Sequence, residues 1–141
     1  MIANDRQYRL TRKKLRELSE LIGNVEQGAA GDEDFRDLQV DALASQIESL
    51  REEIVEYESL RAGSTTTIEA ASLAGLADAL IKARIARGWT QADMANRLGV
   101  AEQQVQRDEA NRYAGAALSR LCDVAEALDV DVHETVTLRA S

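Results

Sequence analysis

The chain has 141 residues and a formal net charge of −8, with 45% hydrophobic residues, only 4% aromatic residues and no proline. This length suits one domain or one small domain with an appendage, and the apolar share is too high for a disordered chain. The single cysteine and single histidine exclude an internal disulfide framework and argue against a Cys/His metal site.

The sequence also argues against secretion, a membrane span and catalysis. Its beginning, MIANDRQYRLTRKK, is polar and charged, and no apolar run reaches the roughly 18 residues of a membrane span. We therefore expect a cytoplasmic protein. Because no glycine-rich phosphate loop, activated nucleophile or metal-ligand spacing is present, we expect no enzyme, no catalytic residue, no metal and no cofactor.

Charge is unevenly distributed along the chain. Residues 1–24 carry a net +3, residues 25–60 carry −9, residues 82–120 carry +3 and residues 121–141 carry −4. The whole chain is too acidic to favour nonspecific binding to nucleic acid, yet its second half contains a basic segment.

The first half of the chain predicts a helical hairpin. One apolar stripe at helical spacing marks the first helix: Tyr8, Thr11, Leu15, Leu18 and Ile22. Gly23 and Asn24 are typical of a helix end, and residues 28–31 predict a turn. Asp32 is then suited to cap the second helix.

The second helix carries a regular heptad seam and is predicted to end near Arg61. The seam consists of Val40, Leu43, Ile47, Leu50, Ile54 and Tyr57. Helices of about 18 and 30 residues would be about 27 and 45 Å long, so the first cannot cover the whole seam. Our hypothesis is that the seam forms a homodimer; the alternative is that it packs on the C-terminal part of the same chain.

Three regions follow from these patterns. Residues 1–62 are interpreted as a hairpin for dimerisation or partner binding, residues 63–72 as a linker and residues 73–141 as a separate C-terminal domain. Alternation in residues 132–138 is compatible with a short two-stranded ribbon paired with residues 65–69. Cys122 is expected to be a small, buried or half-buried packing residue.

The second half carries the informative pattern. The chain is predicted to be helical from Leu73, and its apolar stripe ends before Gly88. Thr90 is suited to cap a short helix that Gly99 ends, since glycine readily adopts the left-handed conformation. A second short helix follows over residues 101–109. Two short helices joined by a glycine turn, with a small residue where they cross, are typical of a helix-turn-helix.

The segment TQADMANRLGVAEQQVQRDE resembles the helix-turn-helix of the Cro/C1-type regulators, the XRE family. The matching positions are Gln91, Ala95, Gly99, Val100, Val105 and Glu109. The resemblance covers roughly residues 73–130 and includes LSRLCDVAEALDV, which is similar to the closing helix of that family's five-helix domain. It implies an all-α chain in which a coiled-coil-like hairpin precedes a five-helix DNA-binding domain.

The outer face of the second short helix is suited to reading DNA. With Val105 buried, a rotation of about 100° per residue turns Gln103 and Arg107 outward, flanked by Gln104 and Gln106. Gln pairs with adenine and Arg with guanine in the major groove. Glu102 aligns with a base-reading position of phage repressors. The alternative is an ordinary polar, solvated face.

The resemblance also implies residues that position the domain without reading bases. The candidate phosphate contacts are Lys82, Arg87, Thr90, Gln91, Asn111 and Arg112. Arg84 and Glu109 match a buried ion pair that ties the first helix of the domain to the recognition helix.

Three positions depart from the family pattern. Ala101 stands where Ser or Thr usually caps the recognition helix, and Asp108 stands where a larger apolar or aromatic residue is commoner. Ala110 replaces the glycine that usually follows Glu109. We still expect the same fold with these departures. They affect the orientation of the recognition helix.

We therefore expect a dimeric repressor that binds double-stranded DNA at a palindromic operator. The alternative is an antitoxin that neutralises a toxin protein through the acidic N-terminal helices while it represses its own operon. A third hypothesis is a coiled-coil adaptor whose helix-turn-helix no longer binds DNA.

Overall fold

The computed structural model describes residues 1–28 and 31–141. The chain consists of two compact units, Met1–Thr65 and Thr66–Ser141. Regular structure in the described residues is entirely helical, which confirms the predicted fold class. The helices are α1 (Asp5–Gln27), α2 (Glu33–Arg61), α3 (Leu73–Ala86), α4 (Gln91–Leu98), α5 (Glu102–Ala110) and α6 (Leu118–Leu128).

In the first unit, α1 and α2 form the predicted hairpin. The start of α1 lies beside the end of α2: the ring centroids of Tyr8 and Tyr57 are 5.2 Å apart, and Arg61 Nη1 lies 2.8 Å from Asp5 Oδ1. Each helix begins at a polar cap, since Asn4 accepts a hydrogen bond from the backbone of α1 and Asp32 from that of α2.

The heptad seam of α2 packs against α1 of the same chain. Ile47, Ile54 and Tyr57 are buried, and the other three seam residues are half-buried. The helix α1 has 23 residues and continues through Gly23 to Gln27, so it covers more of the seam than predicted. A glycine inside a helix costs about 1 kcal/mol relative to alanine but does not necessarily end the helix. That the seam also forms a homodimer stays a prediction, since Val40, Leu43 and Leu50 are only half-buried within one chain.

The first residues of the chain lie beside α2. The amino group of Met1 is 3.6 Å from Glu53 Oε2, and the backbone N–H of Ala3 donates to Gln7 Oε1 at 2.8 Å. Ile2 is only 3% exposed. At the other end of the hairpin, Gly28 ends α1; residues 29 and 30 of the predicted turn lie outside the described residues.

In the second unit, α3 to α6 surround an aliphatic core. Five side chains are less than 2% exposed: Ile81, Met94, Val105, Val124 and Leu128. The described residues of this unit contain four helices, whereas the resemblance implied five, and residues 111–115 form turns between α5 and α6. Arg112, Tyr113 and Gly115 have φ values of 52°, 53° and 75°, which are incompatible with a right-handed helix.

The ribbon considered from the sequence is not formed within one chain. Across residues 1–28 and 31–141 there is no strand, and both candidate segments are irregular. A ribbon of two strands has too little buried surface to be stable without further cover. Val136 and Leu138 instead remain 91% and 90% exposed.

The described helices include none that is both long and apolar enough to cross a membrane. Within the same residues, His, Cys, Asp and Glu side chains do not gather in groups of three suited to a metal ion. Cys122 is exposed, which contradicts the expected packing role, since it lies on the outer side of α6.

Candidate nucleic-acid interface

A capping box and a left-handed glycine fix the two ends of α4. Thr90 Oγ1 accepts from the Asp93 N–H at 3.0 Å, and Asp93 Oδ2 accepts from the Thr90 N–H at 2.8 Å. At the other end, Gly99 has a φ of 69°, and its N–H bonds to carbonyls of the last turn. This glycine turns the chain sharply toward α5, as a helix-turn-helix requires.

The helices α4 and α5 cross at small or compact side chains. Met94 and Ala95 of α4 are 1% and 2% exposed, and Val105 of α5 is 1% exposed. The methyl side chain of Ala95 allows the backbones to approach closely. With Val105 buried, the opposite side of α5 faces solvent.

A buried ion pair ties α5 to α3. Arg84 Nη2 lies 2.7 Å from Glu109 Oε1, and the two side chains are 4% and 2% exposed. Arg84 Nη1 also donates to the carbonyl of Trp89 at 2.6 Å. Burial raises the pKa of Glu109 above its ordinary value, while the charge of Arg84 opposes that rise. The pair fixes α5 against the domain.

The outward face of α5 presents the residues predicted to read bases. Glu102, Gln103, Gln106 and Arg107 are exposed, and Gln104 is half-buried. The carboxylate of Glu102 accepts from Gln106 Nε2 at 3.2 Å. This hydrogen bond orients the carboxylate along α5 and leaves its negative charge in place.

A series of hydrogen bonds along α5, together with an ion pair, explains how Asp108 is tolerated. Arg107 Nη2 donates to Gln104 Oε1 at 3.1 Å, and Gln104 Nε2 donates to Asp108 Oδ1 at 2.9 Å. Arg120 of α6 completes the series with an ion pair to Asp108 at 2.7 Å. Sequence reasoning missed Arg120; its only signal was that it is the one basic residue of α6.

The candidate phosphate contacts do not form a single group. Arg87 donates to the carbonyls of Leu128 and Asp129 at 3.0 and 2.7 Å, so it caps the end of α6. Gln91 is 6% exposed, and its Nε2 lies 3.4 Å from Glu109 Oε2. Both side chains therefore support the domain internally, and a phosphate contact would require each of them to change partners.

The remaining candidates differ in accessibility. Thr90, Asn111 and Arg112 are exposed, whereas Lys82 is half-buried. Arg112 Nε lies 3.2 Å from Asp78 Oδ1, which is close enough for an ion pair but not aligned for a hydrogen bond. Exposed donors beside the C-terminal end of α5 are suited to a phosphate.

Two further groups near this face were missed from the sequence. The guanidinium of Arg97, an exposed residue of α4, lies 3.7 Å from the ring centroid of Trp89. Tyr113 is buried beside α5, and burial raises its pKa to about 12. No local spacing rule joins Trp89 to Arg97, because the contact depends on how α4 leaves its cap.

Comparison with known proteins gives one result for this part of the chain. Residues 80–134 match the family model described as Helix-turn-helix. The match begins within α3 and includes α4, α5 and α6. The comparisons with curated proteins and with solved structures each gave no match.

Proposed function

We propose that this chain is a sequence-specific repressor of transcription, since its residues 80–134 belong to the helix-turn-helix family of Cro/C1-type (XRE) DNA-binding regulators. Its α5 is the recognition helix and enters the major groove with its exposed face toward the bases. Repression follows when the bound protein blocks a promoter that overlaps its site.

The main support for this proposal is that exposed amide and guanidinium groups lie on one side of α5, while buried contacts on the opposite side fix this helix to the rest of the domain. Gln103, Gln106 and Arg107 point away from the domain, while Glu109 on the opposite side is paired with Arg84. Gln and Arg are the side chains that make paired hydrogen bonds with adenine and guanine. Because the backbone of α5 is already ordered, binding costs it little further backbone entropy.

Charge supports the same assignment. Residues 82–120 carry seven basic and four acidic residues, and two of those acids, Asp108 and Glu109, are paired with arginines. The DNA-facing region is therefore basic within a chain of net charge −8. Phosphate attraction supplies affinity, and the bases supply specificity.

We also propose that two copies bind together to a palindrome. Recognition helices of this kind read half-sites that lie about one helical turn of DNA apart, so a symmetric operator calls for a symmetric dimer. The proposed contact between the two copies is the seam of α2, of which Val40, Leu43 and Leu50 are only half-buried within one chain.

The test selects bound fragments of the source genome with the purified full chain at physiological salt in the presence of competitor DNA. We expect one enriched palindrome. Arg107→Ala should weaken binding to that site by about tenfold or more and relax the base preference at one position of each half-site. Lys13→Ala, which removes an equal charge from α1, should leave both the affinity and the base preference unchanged. Failure of folded protein to enrich any site would contradict the proposal.

A second candidate function is the binding of a basic partner protein, as in an antitoxin. We define the hairpin tip as residues 17–28 and 31–41; it carries eight acidic residues and one basic residue. Leu21, Phe35 and Leu38 on this tip are 47%, 59% and 66% exposed. Exposed apolar side chains with an acidic border are suited to an amphipathic, positively charged surface.

The second candidate is tested with the product of a small basic reading frame next to this gene. Co-expression should yield a complex, and Leu38→Asp should abolish it while leaving the helical circular dichroism unchanged. Val55→Asp, which introduces the same charge at an exposed position of α2 outside the tip, is the matched control. The absence of such a reading frame, or a complex that survives Leu38→Asp, would exclude the tip as the binding surface.

A further inference from the structure

Gln104 lies between the buried and the outward sides of α5. At a rotation of about 100° per residue, Asp108 is turned toward the rest of the domain, Arg107 toward solvent, and Gln104 lies between them. Their exposure agrees with this order, since Arg107 is exposed whereas Gln104 and Asp108 are half-buried. Hydrogen bonds through Gln104 therefore connect the inner side of the helix to its outward face.

Both polar ends of the Gln104 amide are already hydrogen-bonded. Its Oε1 accepts from Arg107 Nη2 at 3.1 Å, and its Nε2 donates to Asp108 Oδ1 at 2.9 Å. A glutamine that reads adenine uses the same oxygen and nitrogen to pair with the base. Pairing of Gln104 with a base therefore competes with both existing contacts.

Charges on either side fix the direction in which this amide points. A reversed amide would place its oxygen against the carboxylate of Asp108 and its NH2 group against the guanidinium of Arg107, and both contacts would be repulsive. Asp108 is held in turn, because its Oδ2 accepts from Arg120 Nη2 of α6 at 2.7 Å. The family resemblance alone does not imply this arrangement, since Asp108 departs from the family pattern.

We propose that Gln104 is a positioning residue, which holds the guanidinium of Arg107 on the outward face of α5 and reads no base itself. Asp108 and Arg120 fix its amide for this role. The inference rests on the proposed function, because it concerns how Arg107 selects a base. An arginine pays its side-chain ordering entropy only at a base that it pairs with, so a mobile arginine discriminates less between guanine and other bases.

The contact with Gln104 leaves Arg107 able to bind a base. A guanidinium has five N–H donors, and Gln104 accepts from one of them, on Nη2. Pairing with guanine needs two donors, one for O6 and one for N7. Positioning and base reading are therefore compatible at Arg107, whereas at Gln104 they compete.

The first experiment measures the order of the Arg107 side chain in the full chain without DNA, by NMR relaxation of its Nε–H group. Gln104→Leu and Asp108→Leu should each lower the order parameter of that group. The matched control is Gln106→Leu, which removes a neighbouring glutamine that bonds to Glu102 instead and should leave Arg107 unchanged. An Arg107 side chain that is equally mobile in the wild-type chain and in Gln104→Leu would overturn the proposal.

The second experiment measures base preference with a library of randomised duplex DNA, which is sequenced after selection by each variant. Arg107→Ala identifies the base pair that Arg107 reads. Gln104→Leu should reduce the preference at that same base pair by about fivefold and leave the other base pairs unchanged. Combining it with Arg107→Ala should cause no further loss, because the two residues act as one unit. A preference lost at a different base pair would show that Gln104 reads its own base and would overturn the proposal.

An exchange of polar groups separates positioning from a general structural effect. In the variant Gln104→Glu with Asp108→Asn, the carboxylate at 104 accepts from Arg107, while the amide at 108 donates to that carboxylate and accepts from Arg120. The net charge is unchanged, and the preference at the Arg107 base pair should return most of the way to its wild-type value. An exchange variant that is as impaired as Gln104→Leu would overturn the proposal.

The positioning role and the repressor function fail separately. Because the NMR measurement uses no DNA, an Arg107 side chain that is ordered by Gln104 in a chain that enriches no DNA site would support the positioning role and contradict only the repressor function. An enriched site at which Gln104→Leu leaves the Arg107 base pair unchanged would contradict only the positioning role.

Discussion

The carboxylate of Glu109 lies in the interior of the second unit, where Arg84 and Gln91 surround it with donors. A buried ion pair costs both partners their hydration, so its net contribution to stability is small while both are present. Removing one partner has a large effect, because the other charge is left buried and uncompensated.

We therefore expect Glu109→Ala to lower the free energy of unfolding by about 3–5 kcal/mol. The measurement is urea denaturation followed by circular dichroism. The double variant Arg84→Met with Glu109→Leu should recover most of that loss, since it removes both charges and keeps the volume filled. A double variant as unstable as Glu109→Ala would show that the pair itself, and not the orphaned charge, provides the stability.

Asp129 is held in a conformation that L residues adopt at a cost. It ends α6 with φ 53° and ψ 54°, and its carbonyl accepts from Arg87. Its negative charge also lies at the unfavourable end of the helix dipole. A glycine would keep the backbone contacts without the steric penalty.

We expect Asp129→Gly to raise the free energy of unfolding by about 1 kcal/mol. Asp129→Asn, which removes the charge but keeps the side chain, should raise it by a smaller amount. Urea midpoints of the three proteins test this order. A destabilised glycine variant would indicate that the Asp129 carboxylate makes a stabilising contact in solution.

Individual residues were predictable where the cause is local or where a family pattern places them. Gly99 is an example, since a short helix followed by a sharp turn needs a left-handed residue. The partnership of Arg120 with Asp108 and the capping of α6 by Arg87 were not predictable. Each joins residues from different helices, and their geometry depends on packing that spacing along the sequence does not specify.

At the scale of elements, the start of α4 is coupled to pH through Asp93. Backbone and side-chain hydrogen bonds from Thr90 lower the pKa of Asp93 below its ordinary value near 3.8. A carboxyl whose pKa is lower in the folded state stabilises the fold above its ordinary pKa. That contribution is lost as the pH falls through the lowered, folded-state value.

We expect Asp93→Asn to be less stable than the wild-type chain at pH 7, because the charged acceptor of the Thr90 N–H is gone. The difference should shrink as the pH is lowered through the acid range, where the wild-type carboxylate becomes protonated. Thermal unfolding at a series of pH values between 7 and about 2 measures it. A difference that is constant with pH would exclude a role for the Asp93 charge in capping.

Helices with strong periodicity were predictable, and connections were less so. The heptad seam predicted the position and length of α2. Gly23 did not end α1 as predicted, since packing against α2 outweighs one unfavourable residue. In the turns at residues 111–115, Arg112 and Tyr113 adopt positive φ, which their residue types do not indicate.

At the scale of the whole molecule, acidic and basic residues are concentrated in different parts of the chain. The hairpin tip has a net charge of −7, whereas residues 82–120 have +3. The sequence alone showed this asymmetry, because charge is counted without reference to the fold. An acidic segment attached to a DNA-binding unit reduces the attraction of the chain for any polyanion.

Neutralising part of the acidic helix should therefore speed the encounter with DNA at low salt. We expect the full chain with Asp37→Asn, Asp41→Asn and Glu48→Gln, three exposed positions of α2, to associate with nonspecific duplex several-fold faster at about 10 mM ionic strength. The gain should vanish near 0.5 M salt, where charges are screened over a few ångströms.

Stopped-flow association rates measure this effect, with Ser45→Asn and Gln46→Asn as controls that alter the same helix without changing its charge. The controls should match the wild-type chain at both salt concentrations. An equal gain at high salt would point to a change in shape or dynamics, since electrostatic attraction cannot persist over long range there. A gain confined to low salt would establish that the acidic helix restrains nonspecific binding and leaves selection of a site to the outward face of α5.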